Sequence, residues 1–498
     1  MGIYDRATTG LTLREAPIFE RSREGRVGFS LPPEPSDAEA AVGAIPTRHR
    51  RGQRPALPEV SEVDVIRHFT RLSTQNYSID LGLYPLGSCT MKYNPRVNEE
   101  TVRLPGFAHL HPYLPHAWVQ GALELMWELE RHLAEISGMA AVSLQPAAGA
   151  HGEWTGVRVM RRFLIERDGA PRRKMLIPDT AHGTNPASCA LNGYDVVQLP
   201  SNERGVVSPQ VVLEAMDADT AGIMVTNPNT LGLFEENLGT IASIVHDKGG
   251  LVYNDGANLN SLLGRARPGD MGVDVMHFNL HKTFSTPHGG GGPGAGPVGV
   301  VGRLEPYLPT PRIERDDTSA SWRLSFDRPL SVGRVKAFFG NFGMLVRAYT
   351  YIREYGPRGL RQVTEMAVAN ANYVLARLRG TYHVPYDRLC MHECVVSDKL
   401  LQPLGVKTMD VAKRLIDYGF HPPTVYFPLC VPGAMMIEPT ESEPVAALDE
   451  LVDALNAIAA EAAEAPDALH EAPTRTAVRR MDEARAARQP VLRWSPGS

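Results

Sequence analysis

Cysteine is scarce in this chain, with five residues among 498. An odd number without a regular spacing is not the disulfide framework of a secreted protein, and it favours reduced thiols in the cytoplasm. The segment "CMHEC", Cys390 to Cys394, holds two of the five with His392 between them. Because no second pair of ligands stands nearby in the sequence, a zinc site is not expected, and no metal is assigned.

Long hydrophobic runs are also absent. No stretch of about 20 apolar residues occurs, so no membrane span is expected. The first residues, "MGIYDRATTG", lack the apolar centre of a signal peptide. Positive charge is not in excess either, because the formal net charge is −5, and this argues against a dedicated nucleic-acid binder. What remains is an ordinary soluble globular protein with a large core.

Composition and periodicity divide the chain into three regions. Residues 1–115 are rich in Pro, Arg and Glu and weakly periodic, which favours an extended arm over a compact domain. Residues 116–335 alternate short apolar runs with helical stretches, as a large α/β domain does. Residues 336–498 turn to helical patterns with a few strand-like pieces and a charged tail, which predicts a smaller C-terminal α/β domain.

Seven short apolar runs predict strands that are buried on both faces. They are "AAVSL", "KMLIPD", "YDVVQLP", "AGIMVTN", "GGLVYND", "VDVMHFN" and "PVGVVG". Their alternation with helices predicts a mainly parallel sheet covered by helices. A helix over His116–Ser137 precedes the first run, and Gly138 is its expected stop. In such open sheets ligands bind at the carboxyl ends of the strands, so polar residues after these runs are site candidates.

Two of these places are weak signals when taken alone. The turn "QPAAGAHGEW", Gln145–Trp154, stands between a strand and a helix, and a helix start made of small residues favours phosphate. A tight strand–helix turn explains it equally well, and His151 is there either a stacking group or a core histidine. Asn227 ends the run "AGIMVTN" before Pro228, where an amide can donate into the cleft, although Asn-Pro is usually only a turn.

Two further places carry charge. Asp255 in "YNDGAN" closes a very apolar strand, where a carboxylate is costly without a positive partner. Two explanations are open for Asp255. The carboxylate pairs with a cationic ring nitrogen of a ligand, or it forms a salt bridge or caps the following helix. Lys282 in "FNLHKTFSTPHGGGGPG" follows another buried run and precedes Gly289–Gly292. A lysine that faces a desolvated cleft is a Schiff-base candidate, although a surface-loop lysine is the commoner case for such a residue alone.

The order of the four places is more informative than any one of them. A small-residue turn, Asn227, Asp255 and Lys282 each follow a strand. This set can hold pyridoxal 5′-phosphate, because it offers a phosphate cradle, a donor to the ring oxygen, a carboxylate for the pyridinium nitrogen and an amine for the aldehyde. Asp255 then keeps the ring protonated as an electron sink. The glycines after Lys282 let the adjoining loop move or approach the cofactor closely.

Several unusual strings in the chain resemble the P-protein family of the glycine cleavage system, glycine dehydrogenase (decarboxylating), in its subunit 2 form. They are "YPLGSCTMKYNP", "AHGTNPASC", "TNPNTLGLFE", "NDGANLN" and "FNLHKTFSTPHGGGGPG", and the likeness extends through "GRVKAFFGNFGM". The family has the fold-type I, aspartate-aminotransferase-like architecture of pyridoxal-phosphate enzymes. This implied fold agrees with the sheet that the strand pattern predicts.

The resemblance implies roles for particular residues. Lys282 forms the Schiff base with the cofactor, and Asp255 pairs with the pyridine nitrogen. His151, also taken as a catalytic residue, stacks on the ring, and Asn227 lies near the phenolic oxygen. Further cofactor contacts are implied for Ala148, Gly149, Ala257 and Thr184.

The parts of the cleft that face the substrate are less defined by the resemblance. His288 is taken as a catalytic residue that faces the substrate or the lipoyl arm, together with the segment "SCTMK". For Thr90 and Lys92 an interface loop is an equally good explanation. Asn185 is a further cleft residue, and Arg334 is one of several candidates for the substrate carboxylate.

The implied reaction is the decarboxylation of glycine with transfer of the aminomethyl group to the lipoyl arm of H-protein. The chain shows no dinucleotide fingerprint and no Cys-x-x-Cys pair, which fits an oxidant carried by H-protein. Its length is about half that of the family's single-chain form, which implies a second subunit (P-protein subunit 1) in an α2β2 heterotetramer in the cytoplasm. Nucleic acid and membrane are not expected partners.

Two alternatives remain open at this stage. One is another fold-type I enzyme acting alone, either an amino-acid decarboxylase or a cysteine desulfurase, for which Cys89 is the one obvious loop cysteine. The other is a non-catalytic scaffold subunit that keeps the fold, although both Lys282 and Asp255 are present.

Overall fold

The computed structural model describes residues 10–33, 35–53, 55–288 and 294–495. The glycine run Gly289–Gly292 lies outside these ranges, so the prediction that it lets a loop move stays a prediction. In the described ranges, no helix combines the length and the hydropathy that a membrane span requires.

The chain alternates strands and helices as the sequence predicts. The strands are β1 (Ala141–Ser143), β2 (Lys174–Pro178), β3 (Asp195–Leu199), β4 (Thr220–Thr226), β5 (Leu251–Gly256), β6 (Val275–Phe278), β7 (Val298–Val300), β8 (Arg312–Asp316), β9 (Ser321–Ser325), β10 (Cys394–Ser397), β11 (Thr424–Val425) and β12 (Ala434–Ile437). The α-helices are α1 (Ala38–Ala44), α2 (Glu62–Ser73), α3 (Arg96–Val102), α4 (Pro105–Ala108), α5 (Gln120–Ser137), α6 (Gly149–Asp168), α7 (Asn185–Leu191), α8 (Pro209–Ala215), α9 (Leu238–Asp247), α10 (Leu280–Thr283), α11 (Phe342–Leu378), α12 (Thr408–Asp417), α13 (Val445–Glu464), α14 (Pro466–Glu471) and α15 (Glu483–Arg488).

A seven-stranded sheet forms the centre of the molecule, and each of the seven predicted apolar runs contributes one of its strands. The strand order is β1-β7-β6-β5-β4-β2-β3. The strands β3, β2, β4, β5 and β6 are parallel, and β7 runs antiparallel to both of its neighbours. Every residue of β4, β5 and β6 is buried, because helices cover both faces. The mainly parallel α/β fold is therefore confirmed. Burial on both faces is wrong for the run "YDVVQLP", since β3 is an edge strand and most of its residues are exposed or half-buried.

Helix α5 shows how local sequence sets an element boundary. Leu125, Leu129 and Leu133 recur at helical spacing and are buried against the sheet. The helix ends at Gly138, as the sequence predicts, with φ 72° and ψ 18°. Glycine adopts this left-handed conformation without the strain that a Cβ would add.

A second, three-stranded antiparallel sheet has the order β10-β12-β11. It packs with α12, α13 and the C-terminal half of α11 around a separate apolar core. Helix α11 is two helices joined at Gly356, whose φ of 58° and ψ of −177° are not helical. Helix α11 contributes residues to both apolar cores. The domain boundaries predicted at 115/116 and 335/336 stay predictions.

Among the described residues that precede α5 lie the α-helices α1 to α4, several short 3₁₀ turns and irregular segments. Its segment Tyr84–Lys92 reaches the smaller sheet, where Leu86 bridges Ile437 and the Gly87 N–H donates to the Met436 carbonyl at 3.3 Å. Ser88 of the same segment contacts Lys282, which follows β6 at the carboxyl edge of the large sheet.

Candidate functional site

The carboxyl ends of β4, β5 and β6 bring three predicted site residues to one edge of the large sheet. Asn227 follows β4 directly, Asp255 is the penultimate residue of β5, and Lys282 lies in α10 just after β6. The parallel register pairs Thr226 with Asp255 and Gly256 with Phe278. Residues that are far apart in sequence therefore stand side by side, as parallel strands require.

Asp255 is fully buried yet well supplied with hydrogen-bond donors. The Asn185 amide donates to its Oδ2 at 2.8 Å and the Ala257 N–H donates to its Oδ1 at 2.8 Å. The His277 Nε2 lies 3.3 Å from Oδ1. Burial alone would raise the pKa of Asp255, but His277, His182 and these hydrogen bonds lower it below its usual value. Asp255 is therefore a carboxylate at neutral pH.

Behind Asp255 lies a second buried carboxyl group, Glu153, which sequence reasoning did not single out. It accepts hydrogen bonds from the Thr184 hydroxyl at 2.6 Å, the Asn185 amide at 3.1 Å and the Ser188 hydroxyl at 2.9 Å. The Asn185 amide therefore donates to both Glu153 and Asp255, which fixes its orientation. The predicted contact of Thr184 with the cofactor stays a prediction, since its hydroxyl serves Glu153.

Asn227 has one free donor. Its Oδ1 accepts a hydrogen bond from the Glu235 N–H at 3.0 Å. This hydrogen bond assigns the oxygen and the nitrogen of the Asn227 amide. Its Nδ2 is buried and has no hydrogen-bond partner among the described residues. A buried donor without a partner is costly, so this amide suits a ligand that brings an oxygen.

The start of α6 holds three more predicted residues. Ala148 is the exposed N-cap residue and Gly149 is the first residue of the helix. The Ala147 N–H donates to the His151 Nδ1 at 3.2 Å, so the neutral imidazole carries its proton on Nε2. Burial, together with the nearby charge of Lys336, lowers the pKa of His151. The ring is therefore neutral at pH 7 and suited to stacking.

Close backbone approach explains why this helix start is rich in glycine. A Cβ at Gly149 would lie 2.4 Å from the Asn279 Oδ1, and a Cβ at Gly152 would lie 2.6 Å from the Gly296 carbonyl oxygen and 2.9 Å from the His277 Cβ. The glycines thus let α6 pack directly on the edge of the sheet beside the site. This steric role is additional to any role in binding phosphate.

The substitution Gly152→Ala should destabilise the fold by roughly 1–3 kcal/mol, because the backbone at Gly296 cannot move aside cheaply. Urea unfolding followed by circular dichroism measures the change. Gly239→Ala in α9 is the matched control, since nothing lies within 4 Å of its added Cβ and alanine favours a helix. Equal stability of the two variants would contradict the steric argument.

Lys282 is buried and its Nζ donates to the Ser88 carbonyl oxygen at 2.6 Å. The "SCTMK" segment therefore lies over the lysine. The Thr90 N–H donates to Glu438 at 3.0 Å, and the Lys92 ammonium is held in a buried ion pair with Glu441 at 2.7 Å. Thr90 and Lys92 thus serve to attach this segment to the smaller sheet and its flanking loop.

His288 and His281 form a pair of rings whose centroids are 5.1 Å apart. Burial lowers the pKa of His288 to about 4, and the charge of Lys282 contributes. Burial, His288 and Lys282 together lower the pKa of His281 to about 3. Both rings are neutral at pH 7, and the catalytic role predicted for His288 stays a prediction.

His182 is a further histidine of this site. It lies within the string "AHGTNPASC", which carries part of the family resemblance, but the sequence did not single it out as a site residue. Its Nε2 is buried without a hydrogen-bond partner in the described part of the chain. Burial lowers its pKa to about 4, which the charge of Asp255 only partly offsets. No local pattern marks such a histidine, because its burial depends on distant elements.

A depressed histidine pKa makes stability depend on pH. His182 binds a proton less well in the folded chain than in the unfolded chain. The neutral imidazole therefore contributes to the free energy of unfolding above pH 6.5, and this contribution is lost as the pH falls towards 4. We expect His182→Gln to flatten this decline by at most about 1.4 kcal/mol per pH unit. Urea unfolding at several pH values checks this, and exposed His49→Gln should leave the slope unchanged.

Arg334 contacts residues near it in the sequence. It donates to the Ala337 carbonyl at 2.8 Å and lies over the Phe326 ring. With Lys336 it lines a largely apolar cavity of about 530 Å³. Its suggested role in holding the substrate carboxylate stays a prediction.

Comparison with known proteins places the chain among relatives of similar length. Residues 363–478 match the family model described as glycine dehydrogenase, C-terminal domain. The chain is 54% identical over 478 residues to a protein of Caldanaerobacter subterraneus subsp. tengcongensis, and 55% identical over 477 residues to one of Alkaliphilus oremlandii. Each alignment covers 96% of this chain and 98% of the relative. Both relatives are described as probable glycine dehydrogenase (decarboxylating) subunit 2.

Solved structures resemble the fold at much lower identity. A glycine decarboxylase (P-protein) of the glycine cleavage system, in inhibitor-bound form, superposes with a TM-score of 0.72 at 21% identity, over 85% of this chain and 95% of that one. Oryza sativa TDC with PLP and tryptamine follows with a TM-score of 0.62 at 14% identity, over 83% and 90% of the two chains. At these identities the matches show the fold alone.

Proposed function

Because the chain belongs to the family of glycine dehydrogenase (decarboxylating) subunit 2, we propose that it decarboxylates glycine with pyridoxal 5′-phosphate and passes the aminomethyl group to the lipoyl arm of H-protein. The chain is thus an enzyme of the decarboxylating glycine dehydrogenase class. The observation that carries the proposal is the meeting of Lys282, Asp255 and Asn227 at one sheet edge in a chain with these relatives. A scaffold subunit would not need this set.

The residues at this edge fit the cofactor. The unpartnered Nδ2 of Asn227 suits the phenolic oxygen, and the ionised Asp255 suits a protonated pyridine nitrogen. The first N–H groups of α6, after Ala148 and Gly149, have no partner within the helix and can donate to a phosphate. When bound, pyridoxal phosphate supplies the electron sink that accepts the electrons released by decarboxylation.

The chain's own residues provide binding and orientation. Lys282 offers the amine that binds the aldehyde, and Asp255 holds the proton of the ring nitrogen in place. Asn185 and Ala257 keep the Asp255 oxygens fixed through their hydrogen bonds. The turn that contains Ser88 covers Lys282, which limits the access of water to its amine.

A desulfurase function is disfavoured by the state of Cys89. Burial raises the pKa of its thiol, and the carboxyl groups of Glu438 and Glu393 raise it further, although Lys282 opposes them. A thiol with a raised pKa is a poor nucleophile at neutral pH. This observation favours decarboxylation over sulfur transfer within the same fold.

The proposed partners are glycine, lipoylated H-protein and P-protein subunit 1. The relatives' description as subunit 2 supports a second, different subunit. We propose an α2β2 heterotetramer that works in the cytoplasm. The absence of a dinucleotide fingerprint from the sequence supports an oxidant that arrives on the lipoyl arm.

Exchange of labelled bicarbonate into the carboxyl group of glycine tests the proposal. The full chain is mixed with subunit 1, pyridoxal phosphate and lipoylated H-protein, and each is omitted in turn. We expect exchange that needs the cofactor and is strongly stimulated by H-protein. Release of carbon dioxide at the same rate without H-protein would favour a decarboxylase that acts alone, and no release at all would favour the scaffold alternative.

A further inference from the structure

Two buried glutamates face each other across the edge of the smaller sheet. Glu393 immediately precedes β10 and Glu438 immediately follows β12, one step beyond the antiparallel pair Cys394–Ile437. Both have an exposed fraction of 0%. Like charges at directly opposed positions repel each other, and burial removes the water that would screen them. A pair of this kind needs a compensating proton or cation.

Both glutamates hold the turn that covers Lys282. The Ser88 N–H donates to the Glu393 Oε2 at 2.6 Å, and the Thr90 N–H donates to the Glu438 Oε2 at 3.0 Å. Ser88 and Thr90 have φ values of 61° and 43°, and this left-handed conformation is strained for residues other than glycine. The two hydrogen bonds stabilise this backbone, whose Ser88 carbonyl accepts from Lys282.

The surrounding groups do not neutralise two full negative charges. The Lys92 ammonium is already paired with Glu441, and burial lowers the pKa of His392 to about 3, so this histidine is neutral. Besides the two glutamates themselves, the charges that act on the pair are those of Lys282 and, on Glu438, of Glu441. The Cys89 thiol in turn lies in the field of both glutamates, and His182 acts on His392.

Lys92 also interacts with the charge of Glu438, but Glu441 already balances Lys92. Lys282 is therefore the cation left for the pair among these groups, and it can balance a single negative charge. In agreement, burial and the charge of Glu438 raise the pKa of Glu393 well above its usual range. Burial raises the pKa of Glu438 to about 7.

We propose that Glu393 and Glu438 share one proton, and that the single negative charge left on the pair positions the Ser88–Thr90 turn and balances the positive charge of the Lys282 nitrogen. The pair acts through the turn and through its charge, so its members are positioning residues. The inference rests on the proposed role of Lys282 only where it concerns the cofactor. The shared proton itself is a property of the cofactor-free chain.

The shared proton predicts an unusual response to single and double substitutions. In Glu438→Gln the remaining Glu393 loses its repelling neighbour and ionises, so the net charge of the pair stays at minus one. Glu393→Gln has the same effect on Glu438. Only the double variant removes the charge. Glutamine keeps a carbonyl oxygen for the Ser88 and Thr90 N–H groups, so the turn keeps its acceptors.

Infrared spectroscopy of the cofactor-free full chain at about pH 8 tests the shared proton. The wild-type chain should show the C=O stretch of a buried protonated carboxyl, and either single variant should lose it. Glu130→Gln, a buried glutamate with a pKa of about 7, is the control and should keep it. A wild-type chain without the band overturns the proposal even if every variant fails to fold.

The visible band of the cofactor-loaded chain tests the effect on Lys282. The pH at which this band changes wavelength should stay close to the wild-type value in each single variant. It should fall by about 1–3 pH units in the double variant, because an opposite charge nearby is lost. An equal fall in each single variant would mean that both carboxyls are ionised, and no fall in the double variant would mean that neither is; both results overturn the proposal.

A divalent cation is the other way to hold the pair, since the ligand atoms of His392, Glu393 and Glu438 lie within 4.8 Å of one another. Elemental analysis of the purified chain decides this point. One equivalent of metal that disappears in Glu438→Gln would overturn the shared proton. If the cofactor-loaded wild-type chain showed no visible band at all while the infrared band was intact, that result would instead count against the proposed role of Lys282.

Discussion

The substitution Lys282→Ala should remove the visible absorption band that borohydride fixes onto this residue, and should lower glycine–bicarbonate exchange by ~10³-fold or more. The reason is that Lys282 offers the amine at the carboxyl edge of β6, beside Asp255 and Asn227. The fold should survive with lowered stability, because among the described residues the lysine side chain makes one hydrogen bond, to the Ser88 carbonyl, and its charge acts on the Glu393–Glu438 pair. Absorbance, peptide mapping after reduction and the exchange assay measure the three effects.

Lys282→Arg is the control for charge. A guanidinium keeps the positive charge beside the turn but does not form the Schiff base that an amine forms. We therefore expect an arginine variant with normal stability and with the same loss of exchange as the alanine variant. Exchange that persisted in either variant would contradict the assignment of the lysine.

The second large effect is expected for Asp255→Asn. The neutral amide cannot hold the proton of a pyridine nitrogen, and it places an amide group against the Asn185 amide that now donates to Asp255. Removing one preorganised group that stabilises charge in an active site, such as an oxyanion-hole donor, costs ~10²–10³-fold in rate, and we expect a loss of this size here. The exchange assay measures the rate, and the absorption spectrum of the loaded chain reports the changed protonation of the ring.

Asp274→Asn is the matched control for Asp255. Asp274 is also a buried carboxylate on the large sheet, but it immediately precedes β6, at the opposite end of the strands, where it contacts His246 at 2.7 Å and Arg303 at 2.5 Å. Its loss should lower the free energy of unfolding and leave the exchange rate per folded molecule nearly unchanged. If both variants lost exchange equally, instability rather than chemistry would explain the effect of Asp255→Asn.

Much of the fold follows from short-range patterns. Runs such as "GGLVYND" are apolar on both faces, and a segment of this kind is stable only between two layers of helices. Gly138 stops α5 because the backbone there is left-handed. The family-level function was accessible for a different reason, since long unusual strings in the chain resemble those of one family.

Some features of the site could likewise be predicted from local sequence patterns, and others depend on residues far apart in the chain. The sequence by itself determined that Asn227, Asp255 and Lys282 meet, because parallel strands bring their carboxyl ends to one edge. Only the tertiary structure decided that Ser88 covers Lys282, a contact across 194 residues, and that Glu393 accepts from Ser88 across 305 residues. Periodicity describes the surroundings of one strand or helix. Charge balance in a buried site depends on elements that meet only when the chain folds.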